Sequence, residues 1–128
     1  MKDYELMLNA YVRAGGIPEV FKNSKIAHLV VHKNKVIGSH LVKGLILAPE
    51  ETSSGVNIKL KVKKGITIEN SVHLCFGVLP EEGTQEINIK AKVEDGVGIK
   101  LIAHCVFPSA IKVVHRMIAE IEVGDNAY

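Results

Sequence analysis

The stretch Val56-Asn-Ile-Lys-Leu-Lys-Val-Lys-Lys-Gly-Ile-Thr-Ile-Glu-Asn-Ser-Val-His-Leu-Cys-Phe76 returns without a gap, 31 residues later, as Ile87-Asn-Ile-Lys-Ala-Lys-Val-Glu-Asp-Gly-Val-Gly-Ile-Lys-Leu-Ile-Ala-His-Cys-Val-Phe107. Nine of the 21 aligned positions are identical. A repeat of this period marks stacked structural units, each of which buries its apolar face against the next. Inside each copy the apolar residues alternate, so one face is sealed and the other wetted. Ile58, Leu60, Val62, Ile66, Ile68, Val72, Leu74 and Phe76 are expected inside, with Ile89, Ala91, Val93, Val97, Ile99, Leu101, Ala103, Cys105 and Phe107 as their counterparts. Asn57, Lys59, Lys61 and Lys63 then face water, as do Asn88, Lys90, Lys92 and Glu94.

Working outward, Met117, Ala119, Ile121 and Val123 continue the alternation of Ile87 to Val93 at an offset of 30. Gly44 to Glu51 echoes Gly77 to Glu82 with two extra residues, giving two firm copies and two partial ones. Upstream, Ile26 to Val31, Lys35 to Ile37 and Leu41 to Leu47 are expected as strands, with a turn at His32 to Asn34 and loops at 48–55 and 79–84. Tyr4, Met7, Leu8, Tyr11 and Val12 have helical spacing, and predict a helix over 3–14 with Asp3 as N-cap and Gly15-Gly16 as its stop. Pro18 suits the first position of a further short helical turn. The chain therefore divides into an N-terminal helix and connector, 1–24, and a β core, 25–128, within one domain. Lys64-Gly65 and Asp95-Gly96 interrupt the copies as turns. Asp-Gly is also a hairpin signal, so an antiparallel sandwich or barrel competes locally with a parallel β-helix.

Composition narrows the function classes. The chain is 47% apolar but only 5% aromatic and lacks Trp, so its core is aliphatic. Its 16 Lys+Arg and 14 Asp+Glu nearly cancel, and the lysines alternate along strands without forming an aromatic-laced basic stripe. Nucleic-acid binding is not expected. Neither a membrane-length apolar run nor a secretory leader is legible, which predicts a cytoplasmic protein. Cys75 and Cys105 are too few for a disulfide scaffold.

Gap-free stacking sets His73 beside His104, with Cys75 on the same outer face and Cys105 turned inward. Imidazole and thiolate are suitable ligands for iron or zinc, so His73, Cys75 and His104 are the candidate metal ligands, completed by water or a partner subunit. The alternative is that the two histidines simply stack and that Cys75 packs as a small apolar residue. Cys105 and His115 are read as inward-facing core residues. Ile102, Val106, Cys75 and Ile118 form an outward apolar set that the N-terminal helix or a second chain would cover. No G-x-S-x-G, H-E-x-x-H, Walker A or G-x-G-x-x-G motif is present, and no carboxylate pair sits in an apolar setting, so the chain is not expected to be an enzyme.

His73-Leu-Cys-Phe-Gly-Val-Leu-Pro-Glu-Glu-Gly83, Ala103-His-Cys-Val-Phe-Pro-Ser-Ala110, Val114-His-Arg-Met117 and Ala119-Glu-Ile-Glu-Val-Gly-Asp-Asn-Ala-Tyr128 occur here in order. Together with Gly15 to Phe21, they resemble short, archaeal-type members of the SufB/SufD family of iron-sulfur cluster assembly proteins. The resemblance implies a right-handed parallel β-helix and pairing with another SufB/SufD-type subunit. It also implies work alongside the ATPase SufC. Relatives continue beyond the position of Tyr128 into a further histidine-containing strand and helices that dock the ATPase, so that contact is not expected from these residues. Pairing is expected through Ile118 to Val123, as a homodimer or a SufB/SufD-type heterodimer. The expected function is a scaffold or accessory subunit that carries iron or an iron-sulfur cluster only transiently. A dimerising module that binds no metal and a cupin-type metal enzyme are the alternatives.

Overall fold

The structure, a computed structural model, describes residues 2–128. Helix α1 spans Lys2–Arg13, and a single 3-10 turn spans Pro18–Phe21. Eight strands follow: β1 His28–His32, β2 Lys35–His40, β3 Leu45–Glu51, β4 Gly55–Val62, β5 Val72–Gly77, β6 Glu82–Val93, β7 Leu101–Val106 and β8 Lys112–Val123. They form two four-stranded sheets of order β2-β1-β5-β7 and β3-β4-β6-β8, and from β4 onward the chain alternates between them. Both sheets are mixed: β1, β5, β7 and β4, β6, β8 run parallel, while β2 and β3 lie antiparallel at the edges. Among the described residues no barrel closes, which removes the cupin-type alternative.

The repeat becomes register in the second sheet. Ile58 pairs with Ile89 and Val62 with Val93, an offset of 31. Ile89 then pairs with Ala119 and Val93 with Val123, an offset of 30, as the alternation in the third copy requires. Asn88 Nδ2 donates to Asn57 Oδ1 at 3.2 Å on the wet face, at the same repeat offset. The turns stack as well: Gly65 (φ 79°) and Gly96 (φ 70°) occupy the left-handed region, and Asn126 (φ 58°) takes that role in the third turn. Asn tolerates this conformation better than other residues with a side chain.

The first sheet departs from the gap-free alignment. Val72 pairs with Leu101 and Cys75 with His104, an offset of 29. The cause is the connector, since β4 to β5 uses residues 63–71 whereas β6 to β7 uses only 94–100. Two residues fewer slide β7 by one pleat period, which keeps each side chain on its expected face. The N-terminal echo at Gly44 is likewise not a stacked copy. Gly44 (φ 88°) turns the chain into β3, which pairs antiparallel with β4. Leu41 to Lys43 link the sheets, and Ala48 to Glu51 belong to the strand. Pro49 is tolerated there because β3 is an edge.

Two apolar clusters hold the fold. Between the sheets lie Leu29, Val31, Leu47, Val56, Ile58, Leu60, Val62, Leu74, Phe76, Ile87 and Ile89, all buried. Full burial of each such side chain contributes about 1.5–3 kcal/mol. Outside the first sheet, Met7, Ala10 and Tyr11 of α1 and Val20 and Phe21 of the 3-10 turn pack on Val30, Cys75 and Val106. The helix thus covers Cys75 and Val106 of the expected outward set, while Ile102 and Ile118 stay exposed. Asp3 lies inside the first turn of α1, not at its cap, where its negative charge suits the helix dipole. The Gly16 amide donates to the Tyr11 carbonyl at 3.0 Å and helps end the helix. None of the described helices is long and apolar enough to cross a membrane.

Candidate functional site

Four histidines cross the first sheet beneath the N-terminal helix. His40 pairs with His28 across β2 and β1, and His28 pairs with His73 across β1 and β5. His104 lies diagonally beside His73 because of the two-residue slide of β7. The diagonal is short enough for contact: His73 Nδ1 and His104 Nε2 are 3.0 Å apart, and the rings lie parallel at 5.3 Å between centroids. The expected meeting of His73 and His104 is therefore present, while their direct ladder pairing is replaced by His73 with Ile102 and Cys75 with His104. Tyr11 packs edge-on against His104 at 4.7 Å and against Phe21 at 5.0 Å, and Phe21 packs against His28 at 5.0 Å. A Tyr-Phe roof supplied by α1 and the 3-10 turn thereby packs on His104 and His28.

This roof sets the electrostatics. Loss of solvent pushes the imidazoles of His28, His73 and His104 below the ordinary histidine value. Repulsion from His40 and His73 adds to the effect at His28, and repulsion from His104 adds to it at His73. His28 Nδ1 is buried with no hydrogen-bond partner. His40 Nε2, by contrast, reaches the Ser24 carbonyl at 2.7 Å. Neutral imidazoles with free lone pairs can bind borderline cations.

Cys75 shares this face but is wholly enclosed beneath α1. Its burial pushes the thiol up to about 12. A metal needs the thiolate, so under the closed helix this sulfur is a packing group. Among the described residues no three His, Cys, Asp or Glu side chains are gathered to hold a metal ion. His73 and His104 are brought together, and Cys75 is set beside them behind the helix.

A second constellation lies on the opposite face, at the C-terminal edge of the stack, where β7 and β8 come from different sheets. Cys105 Sγ is 3.6 Å from His115 Nε2, and His115 Nδ1 is 2.9 Å from Gln85 Oε1. The Gln85 amide nitrogen faces the carbonyls of Lys33 at 3.0 Å, Gly77 at 3.1 Å and Val31 at 3.4 Å. Gln85 is completely buried. Parity places Cys105 and His115 inward as core residues; they do turn inward, but at the edge of the stack Cys105 is exposed and His115 half-buried. No sequence signal marks Gln85, since β6 begins at Glu82, inside the segment that reads as a loop.

No protein-family model matches the chain. Over 128 residues, its full length, it is 30% identical to a Pyrococcus horikoshii protein named as an iron-sulfur cluster assembly SufBD family protein, of which it covers 39%. Over 110 residues, 86% of its length, it is 31% identical to a Methanocaldococcus jannaschii protein of the same description, of which it covers 35%. The resemblance drawn from the sequence is upheld, and the first match extends it through α1. The chain spans little more than a third of the length of these relatives.

Proposed function

We propose that this chain, which belongs with the SufB/SufD-family sequences it matches, acts in iron-sulfur cluster assembly as a non-enzymatic scaffold or accessory unit. The observation that carries this reading is the similarity to two SufBD relatives, one of them matched along the whole chain. The alternating sheets are read as coils of a right-handed parallel β-helix. Parallel, repeat-spaced pairing through β4, β6 and β8 supports that reading. Iron or a nascent cluster is cargo here, held transiently, with the stacked His73 and His104 imidazoles as donors and Cys75 joining only if α1 lifts.

The partner in this proposal is another SufB/SufD-type subunit, or a second copy, added at β8. Ile118, Ile121 and Val123 are each more than half exposed there. Residues of that kind along a free strand edge favour pairing. A SufC-type ATPase is the further partner that the family suggests. The enclosed Cys75 favours a second reading, a pairing module that holds no metal.

Anaerobic reconstitution with ferrous iron and sulfide, read by absorption spectra, separates the two. The scaffold reading expects a cluster chromophore that weakens in His104→Ala. If no chromophore forms with the chain alone or with a SufB/SufD-type partner, only the pairing module survives. Sedimentation of Ile118→Lys/Ile121→Lys tests the interface: a wild-type dimer that becomes monomeric supports it, and an unchanged oligomeric state rejects it.

A further inference from the structure

The Gln85, His115 and Cys105 chain has a direction. Gln85 meets three carbonyl oxygens at one end of its amide, at 3.0, 3.1 and 3.4 Å, so that end must be the NH2 group. The reverse orientation would press one oxygen against three others. Its Oε1 is thereby committed as an acceptor toward His115, 2.9 Å away. His115 Nδ1 must then carry the proton and donate it, which leaves the Nε2 lone pair facing Cys105 Sγ at 3.6 Å. A nucleophile, a base and a group that orients the base are thus aligned, as in cysteine-histidine-amide constellations.

We infer that Cys105 is a nucleophilic thiol, with His115 as its base and Gln85 as a positioning residue, and that it takes neutral, low-molecular-weight disulfides in a stoichiometric exchange. The thiol is exposed, and His115 is flanked by the Phe107 and Phe76 rings at 5.4 and 6.3 Å. An uncharged electrophile with an apolar body suits such walls. In the exchange a bond forms between Cys105 Sγ and one sulfur of the disulfide while the disulfide's own S–S bond breaks. The Cys105 proton passes to His115 Nε2 and then to the departing thiolate, so the oxidising equivalent comes from the disulfide itself. Cys75, sealed beneath α1, takes no part. This inference does not depend on the cluster-assembly reading, since iron and sulfide are absent from its test.

The test uses dithiodipyridine, a neutral aromatic disulfide, and follows release of thiopyridone from the native full chain. The expected result is one fast thiol, retained in Cys75→Ser and lost in Cys105→Ser. His115→Gln, which preserves a polar side chain but removes the base, should slow it at least about tenfold. Nitrogen-15 NMR of His115 in the wild type should show the Nδ1–H tautomer, a readout that holds even if a variant folds poorly. Equal rates in a folded His115→Gln variant, a fast phase that survives Cys105→Ser, or an Nε2–H tautomer would each overturn the inference.

Discussion

Lowering the pH from about 7.5 to about 5.5 should cost the fold roughly 3 kcal/mol at most through two buried histidines alone. His28 and His73 are only 6% and 9% exposed, and loss of solvent is the main cause of the downward shift in both. A group whose folded pKa lies below its unfolded value binds protons preferentially in the unfolded chain. Stability therefore falls as the pH drops through the unfolded value near 6.5, and the loss stops growing once the folded value is passed. One unit below 6.5, a site that stays neutral when folded costs RT ln(1 + 10), or about 1.4 kcal/mol. His32, His104 and His115 shift in the same direction but are more accessible and are left out of that ceiling. Glu94 is held low first by the Lys64 backbone amide and then by the Lys61 side chain, and its stabilisation is lost in the carboxylate range, below this window. Urea unfolding followed by circular dichroism at both pH values measures the effect. His28→Phe should reduce it by up to about 1.4 kcal/mol, and should also relieve the unpartnered Nδ1. A pH difference under about 0.5 kcal/mol, or one unaffected by His28→Phe, would refute the reasoning.

Met7 is wholly buried against Cys75 and its neighbours, so Met7→Ala should cost about 2–5 kcal/mol in thermal or urea unfolding. The same variant should open Cys75 to thiol reagents, measurable by counting reactive thiols in the native state. At Gly77 a Cβ would lie 2.7 Å from the Val106 carbonyl oxygen and 2.8 Å from the Met7 methyl carbon. Gly77→Val should therefore lift α1 and cost about 1–3 kcal/mol, with faster proteolysis at the helix as the local sign.

The second sheet was legible because its strands hold the periods of 31 and 30 that the eye finds in the sequence, and because Asn57 and Asn88 meet where alternation sets them. The first sheet was legible only in parity. Its 29-residue step depends on how many residues each connector consumes, and Ile66 to Asn70 read as strand although they form a link. The edge strands were harder still. Pro49 reads as a break until the neighbour that leaves its nitrogen unneeded is known. Of the outer histidines, His73 and His104 could be paired from the repeat, whereas His28 and His40 lie outside it and join the row only through pairing of β1 with β2 and β5. Cys105 and His115 had the right facing but no visible relation. They are distant in repeat phase and meet across two sheets, through a glutamine that no motif marks.

The two ends of the stack are unlike in a way that gives the molecule polarity. At one end β2 and β3 run against their neighbours, and Pro49 interrupts the row of amide donors. At the other, β7 and β8 run parallel to β5 and β6, at steps of 29 and 30 residues, and end the two sheets. A strand arriving at the β8 side finds a template of known spacing, while one arriving at the β3 side meets reversed chain direction and a missing donor. The partner proposed for β8 would lie at the same end of the stack as Cys105.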